Sequence, residues 1–249
     1  MLNKILIDIY GKYRIYKINS EEFRDISPDA QEFGTYGFYS WYPRIIPRNE
    51  IWVSEELSAK ELPVIVHNAL YQAKNIDAGV SQHRAYLTAE NLEKAERGKI
   101  DSSSSNSNSK QYNNNKENYN PPDYLYQSKY TTTKDGIEVW KVDGYLVRNH
   151  YKTNFVEGGH DIVYKWIPKN EIWIEKDLHT TEIPYILIHE YVERSLMLNN
   201  KLKYNTAHKI AAKIEFKYRS SHPTLPHIIG SIIQKLTPEW VQEEVKSYI

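Results

Sequence analysis

The sequence contains no cysteine, which excludes disulfide bonds, thiolate zinc sites and cysteine nucleophiles. It also lacks a charge excess, since 32 basic residues balance 32 acidic ones, and so provides no global field to recruit nucleic acid or an anionic membrane. Long apolar runs are missing too, and Asp8 interrupts the apolar start where a signal peptide would continue. We therefore expect a soluble, cytoplasmic protein that binds neither nucleic acid nor a membrane.

An internal repeat is the most prominent feature that the sequence does contain. Ile46-Pro-Arg-Asn-Glu-Ile-Trp-Val53 returns as Ile167-Pro-Lys-Asn-Glu-Ile-Trp-Ile174, and the register continues without a gap as far as Pro63 and Pro184. Weaker matches extend the similarity in both directions. The sequence therefore predicts an internal duplication.

The repeat divides the chain into two domains and a linker. Residues 1–99 form the first copy, and residues 123–249 form a second copy with extra C-terminal helices. Between them, residues 100–122 are rich in Ser and Asn and cannot bury enough apolar surface to offset the entropy of ordering. We predict that this segment is a flexible linker.

Strand patterns precede helix patterns in each copy, which predicts an α+β fold with a small antiparallel sheet packed against a helical pair. In the second copy we expect a hairpin around Asp143-Gly144, because Asp-Gly between apolar alternations favours a two-residue turn. The other predicted elements are two short strands within 161–175, helices at 182–198, 205–218 and 226–236, and a helix capped by Thr237.

The helix predicted at 182–198 carries ionisable side chains at the centre of its apolar face. His189 and Glu193 are four residues apart and therefore point to the same side. A buried carboxylate is costly unless a cation or strong hydrogen-bond donors satisfy it. With His208 from the next helix, the three side chains provide two imidazoles and one carboxylate, a ligand set typical of catalytic zinc. Glu190 lies off this line and is the candidate base that would activate a bound water.

Other residues are candidates for supporting these ligands. Glu215 lies on the same predicted helix face as His208 and is a candidate either for a fourth ligand or for a group that holds an imidazole in place. His160 and Asp161 follow two glycines on the strand side, from where either one would reach the site.

The first copy lacks every one of the proposed ligands. In the register of the repeat, Asn68 stands at the position of His189, Gln72 at that of Glu193 and Tyr86 at that of His208, while Ala69 replaces Glu190. Neutral Asn and Gln side chains can satisfy each other on a buried face. The first copy is therefore interpreted as a degenerate, non-catalytic partner.

Two function classes follow from these residues. The first is a metal-dependent hydrolase with zinc as its cofactor and a peptide or another amide as its substrate. The second is a non-catalytic tandem interaction or structural module. In that alternative, His189, Glu193 and His208 form only a buried packing network, and aromatic surfaces such as Tyr36–Tyr42 bind a protein partner.

The helical pair resembles known patterns. The motif His189-Glu-Tyr-Val-Glu-Arg-Ser-Leu-Met197, followed by His208 and Glu215, is similar to one in uncharacterised proteins of phages, viruses and archaea. That resemblance covers about 143–219 and implies no known activity, although a viral source would place the protein in the host cytoplasm. The helical pair alone distantly resembles the minimal gluzincin metallopeptidases, with Glu193 where that family has a histidine and His208 where it has a glutamate. This second resemblance implies a zinc-dependent peptidase.

Overall fold

The computed structural model describes residues 2–103, 121–221, 230–231 and 233–249. The chain forms two compact units, Met1–Tyr112 and Asn113–Ile249. Each unit has one four-stranded sheet with helices packed against it, so the α+β class and the duplication are confirmed. Most of the predicted linker lies outside the described residues. No helix in the described part of the chain combines the length and the apolar character that crossing a bilayer requires.

Unit one runs strand, strand, helix, strand, strand, helix, helix. Its elements are β1 (Lys4–Tyr10), β2 (Tyr13–Ile18), α1 (Ser20–Arg24), β3 (Tyr36–Phe38), β4 (Glu50–Ser54), α2 (Leu62–Asp77) and α3 (Gln82–Ser103), with a 3-10 helix at Pro28–Glu32. The strand order is β1-β2-β4-β3. The central pair β2/β4 is parallel, and the two outer pairs are antiparallel.

Unit two repeats this order and adds a further helix. Its elements are β5 (Tyr126–Thr132), β6 (Glu138–Val142), α4 (Gly144–His150), β7 (Gly158–His160), β8 (Glu171–Glu175), α5 (Ile183–Asn199), α6 (Tyr204–Ser221) and α7 (Pro238–Val245), with a 3-10 helix at Asp123–Leu125. The strand order is β5-β6-β8-β7, again with a parallel central pair. The sheets are therefore mixed, and the prediction of purely antiparallel sheets was wrong on this point.

Each sheet is covered on both faces, which explains why its central strands are apolar at successive positions. In β8, Ile172 and Ile174 pack into the core under α5 and α6, whereas Trp173 packs with Val147 and Phe155 on the opposite face. Strand β4 of unit one alternates in the same way. The sheet side that faces α5 is the one that carries the candidate site.

The repeated Ile-Pro-x-Asn-Glu motif has a backbone explanation. Asn49 and Asn170 both adopt positive φ, at 63° and 65°, directly before β4 and β8. Asparagine tolerates this left-handed conformation better than most residues do. The asparagine that the two copies share therefore turns the chain into a central strand of each sheet.

Two predictions in the strand region of unit two were wrong. Asp143-Gly144 does not form a hairpin turn, because the Asp143 carboxylate accepts the backbone N–H of Leu146 at 3.1 Å and caps α4. The crossover through α4 then makes β6 parallel to β8. The second error concerns the two strands expected within 161–175, where only β8 forms and β7 ends at His160.

The helix predictions were closer to the structure. Helices α5 and α6 are confirmed within a few residues, and Thr237 caps α7 by accepting the N–H of Trp240. The helix predicted at 226–236 lies largely outside the described residues. Helical period alone would direct Tyr191 and Arg194 away from the apolar face of α5, but they are only 2% and 5% exposed. Since α5 lies between the sheet, α6 and α7, it is buried on nearly every side.

Candidate metal centre

The three predicted ligands converge where α5 packs against α6. His189 and Glu193 project from successive turns of α5, and His208 projects from the first turns of α6. The helices pack closely here because Ala207 and Ala211 are completely buried between them. The potential ligand atoms of the three side chains all lie within 4.8 Å of one another.

The spacing of these atoms fits a single small cation. His208 Nδ1 lies 2.7 Å from Glu193 Oε2 and 3.0 Å from His189 Nε2, and the distance from His189 Nε2 to Glu193 Oε2 is 3.6 Å. Tetrahedral zinc with bonds of about 2.05 Å requires its ligand atoms to be about 3.3 Å apart. The three distances bracket this value, so small adjustments would suffice to bind the ion.

Glu215 hydrogen-bonds the His189 ring nitrogen that points away from the other two ligands. Its Oε2 lies 2.8 Å from His189 Nδ1, so a proton on Nδ1 leaves Nε2 directed at the other two ligands. Glu215 itself is held by Arg219, whose guanidinium also donates to Glu182 at 2.7 Å. Burial opposes the ionisation of Glu215, but Arg219 and the hydrogen bond with His189 outweigh it and lower the pKa of this carboxyl. The predicted supporting role of Glu215 agrees with this arrangement.

His160 hydrogen-bonds Glu193, the carboxylate among the three predicted ligands. Its Nδ1 accepts the backbone N–H of Ile162 at 3.2 Å, so Nε2 carries the proton and donates it to Glu193 Oε1 at 3.0 Å. This leaves Glu193 Oε2 available to the cation. His160, Glu190 and Glu193 also lie close enough to form a second possible ligand group, but the hydrogen bond from Ile162 makes His160 a donor here rather than a ligand.

Glu190 lies beside the three ligands, within reach of the same small volume as Glu193 and His160. Burial, together with the negative charge of Glu193, raises the pKa of Glu190 to about 8. A cation bound by Glu193 would offset that negative charge and bring the pKa of Glu190 down. Glu190 also keeps partial solvent exposure, as a base acting on water requires.

His189 and Glu193 have pKa values far from their ordinary ranges. Burial disfavours the charged form of His189, but hydrogen bonds with Glu193 and Glu215 raise its pKa well above the usual value. Burial likewise opposes the ionisation of Glu193, but hydrogen bonds with His160, His189 and His208 lower its pKa strongly. The site is therefore built to hold positive charge between buried carboxylates.

The site faces solvent through His208. Its side chain is 25% exposed, whereas those of His189 and Glu193 are 9% and 4% exposed. Tyr204, one turn earlier on α6, stacks on the His208 ring with centroids 5.3 Å apart. Solvent therefore reaches the cluster along the first turn of α6.

Asp161 is not part of the centre. Its two oxygens accept from Arg194 at 2.6 and 3.1 Å, and one of them also accepts the backbone N–H of Asn170. Asp161 thus joins α5 to the turn before β8. Its candidate role at the metal was based on its place next to His160, but successive residues of an extended chain point in opposite directions.

Unit one has a neutral hydrogen-bonded cluster in the corresponding place. Gln72 Nε2 donates to Asn68 Oδ1 and to the Tyr36 hydroxyl, each at 2.6 Å, and Tyr36 donates to Asn68 Oδ1 at 3.0 Å. Asn68 Nδ2 in turn donates to Glu93, the counterpart of Glu215. The same fold is therefore satisfied in unit one with uncharged groups at the ligand positions.

Strand register identifies two further differences that the sequence interpretation missed. Tyr36 pairs with Val53 as Gly158 pairs with Ile174, so Tyr36 occupies the position of Gly158. A Cβ atom at Gly158 would lie 3.1 Å from Glu190 Cγ, so glycine leaves the space that Glu190 uses. Unit one has the opposite combination, with the large Tyr36 on the strand and the small Ala69 on the helix.

The same register places Phe38 of unit one at the position of His160. The repeat could have revealed both replacements, but the connections between these strands differ in length and hide the match. Comparison with protein-family models, curated proteins and solved structures finds no match to this chain. The interpretation of the site therefore depends on its geometry and on the contrast between the two units.

Proposed function

We propose that this protein is a metal-dependent hydrolase that uses zinc and cleaves peptides or other amides. The observation that carries the proposal is the convergence of His189 Nε2, His208 Nδ1 and Glu193 Oε2 at separations of 2.7 to 3.6 Å. Two imidazoles and one carboxylate leave a coordination position open, as catalytic zinc sites do. A bound zinc ion would supply Lewis acidity and lower the pKa of a water molecule.

The residues of the chain have separate roles in this proposal. His189, Glu193 and His208 hold the ion, and Glu190 accepts the proton of the attacking water and passes it to the leaving amine. Glu215 fixes the orientation of His189 through Nδ1, and His160 fixes Glu193 through Oε1. Supporting hydrogen bonds of this kind set the direction and basicity of metal ligands.

Unit one is a non-catalytic copy in this account. Its Asn68, Gln72 and Tyr36 fill the corresponding space with mutual hydrogen bonds, and Ala69 provides no base. We place the protein in the cytoplasm, with a peptide or a protein segment as its partner in the site.

A non-catalytic structural role is the second candidate. The observation that favours it is that one proton shared among His189, His208 and Glu193 is able to satisfy their contacts without an ion. In that case the cluster would only specify how α5 and α6 pack.

A hydrolysis assay separates these functions. The full chain is stripped with a chelator, dialysed and assayed on a mixed peptide library, with and without one equivalent of zinc, and products are identified by mass spectrometry. The proposal expects cleavage that appears with zinc and disappears with the chelator. Absence of zinc-dependent cleavage would contradict the proposal, and a folded chain that also binds no zinc would favour the structural role.

A further inference from the structure

Strand β1 exposes an unusual amount of aliphatic surface at the edge of the sheet in unit one. Ile5 is 60% exposed, Leu6 48%, Ile7 37% and Ile9 57%. These four belong to one seven-residue strand, whose outer edge has no neighbouring strand among the described residues. Soluble proteins usually protect such an edge with charges, a short strand or a covering element.

The equivalent strand of unit two provides an internal comparison. Strand β5 has the same edge position and the same length, but its sequence is Tyr-Gln-Ser-Lys-Tyr-Thr-Thr. None of its residues is a large aliphatic one. The apolar character of β1 is therefore not a requirement of the fold, and it calls for a separate explanation.

The sequence of β1 is complementary to itself when two copies run antiparallel. Lys4-Ile-Leu-Ile-Asp8 is a palindrome in polarity, with opposite charges at its ends. If Leu6 faces Leu6 of a second copy, Ile5 faces Ile7, and Lys4 faces Asp8 at both ends of the contact. Directly opposed residues of antiparallel strands have their Cβ atoms about 5 Å apart, so these pairs would touch.

We propose that β1 is a dimerisation edge, which pairs antiparallel with β1 of a second copy of this chain about a two-fold axis at Leu6. The pairing joins two four-stranded sheets into one of eight strands and places Ile5, Leu6 and Ile7 side by side with the aliphatic residues of the second copy. The contact is isologous: each copy contributes its β1 edge, so no β1 edge is left to bind a third copy.

Contacts within β1 show what this register requires. Lys4 Nζ bonds Glu50 on β4 at 2.5 Å and lies over the Tyr16 ring, so Lys4 must turn towards the edge to meet Asp8 of the second copy. Asp8 is exposed, and one of its oxygens accepts the backbone N–H of Ile9. The bulge between Leu6 and Asp8 lies inside the paired segment and must straighten on pairing for Lys4 to face Asp8.

Sedimentation equilibrium of the full chain tests the proposal through charge complementation at the axis. The wild type is expected to have twice the monomer mass of 29.4 kDa. Leu6→Asp and Leu6→Lys each place two like charges face to face, so each variant alone should weaken the dimer at least about tenfold. An equal mixture of the two variants places opposite charges at the axis and should restore dimers.

The control is Ile26→Asp, which adds the same charge at an exposed aliphatic residue outside β1 and should leave the dimer intact. Circular dichroism of each variant checks that the monomers are folded. A wild type that is monomeric at all concentrations, open-ended aggregation, or a mixture no more dimeric than either variant alone would overturn the proposal.

Discussion

In the proposed function, Glu190 accepts a proton, whereas His189, Glu193 and His208 bind the metal. We expect Glu190→Gln to keep the fold and the affinity for zinc, because the substitution preserves size and helix and alters none of the three ligands. Hydrolysis should fall by roughly a hundredfold or more, because the base is lost. Steady-state kinetics and zinc titration of the same preparation measure both quantities.

A matched control for this variant is Glu243→Gln on α7, where the carboxylate is 69% exposed. It makes the same chemical change at an exposed side chain that pairs with Lys246, and it should leave the rate unaltered. Full activity in Glu190→Gln would show that another group acts as the base.

Substitutions of His160 test whether its hydrogen bond to Glu193 contributes to zinc affinity. His160→Phe introduces the residue that unit one carries in β3, so the strand should still pack. Without the donor to Glu193 Oε1, zinc affinity should fall about 10- to 100-fold. His160→Gln, which offers an amide donor, should recover part of the loss in a competition titration against a chromogenic chelator. Equal affinity in all three proteins would contradict the supporting role.

At the level of single residues, helical spacing was enough to predict which side chains lie together at the candidate site. His189, Glu193 and His208 share faces of adjacent helices, and period alone determines that. The residues on the strands were harder to predict, because a helix pattern contains no information about which strand residue meets it. His160 and Asp161 were equal candidates in the sequence, and only the fold separates a donor to Glu193 from a partner of Arg194.

At the scale of the elements, the helical pair of each unit is joined by the same buried ionic group. Arg97 bonds Glu61 and Glu93 in unit one as Arg219 bonds Glu182 and Glu215 in unit two. Its presence in the unit that lacks the ligands indicates a structural role. In unit two, Glu215 also hydrogen-bonds His189.

Removing either arginine should therefore destabilise its own unit. Arg97→Ala and Arg219→Ala each leave two buried carboxylates without their cation, which typically costs about 3–5 kcal/mol. Urea denaturation, followed by tryptophan fluorescence, measures the free energy of unfolding. Arg84→Ala, at an exposed position of α3, is the control and should change it little. Similar stability of all three variants would contradict the structural role of the network.

Element order and the helices were predictable because their signals are local. Thr237-Pro238 marks the start of a helix, and Pro184 lies in the first turn of α5. Sheet topology was not predictable, because Asp143-Gly144 suits a hairpin turn as well as a helix cap. The choice depends on tertiary packing, in which α4 covers the Trp173 face of the sheet.

At the scale of the whole molecule, the ionisable groups of the centre should make stability depend on pH. Without metal, the raised pKa of His189 gives stabilisation that is complete below pH 6.5 and is lost as pH rises through the raised value. The lowered pKa of Glu193 gives stabilisation that is complete above pH 4.5 and is lost in acid. The pKa of Glu190, raised from 4.5 to about 8, adds a cost that grows between those values.

We therefore expect the metal-free protein to be more stable near about pH 5.5 than near about pH 8.5, by more than about 1 kcal/mol. Saturating zinc should reverse this order, since deprotonated ligands bind the metal. Denaturation midpoints in chelator and in zinc at the two pH values measure the effect. A flat profile in chelator would contradict the pKa shifts.

Metal content of the full chain is the decisive test of the metal site, and unit one provides the design of the control. The variant His189→Asn, Glu193→Gln and His208→Tyr gives unit two the residues that unit one already packs in the same fold. Both proteins are grown with added zinc, dialysed and analysed for metals, and circular dichroism verifies their folding. We predict about one zinc ion per wild-type chain and none in the folded variant; a metal-free wild type, or equal zinc in both proteins, would mean that these three residues form no zinc site.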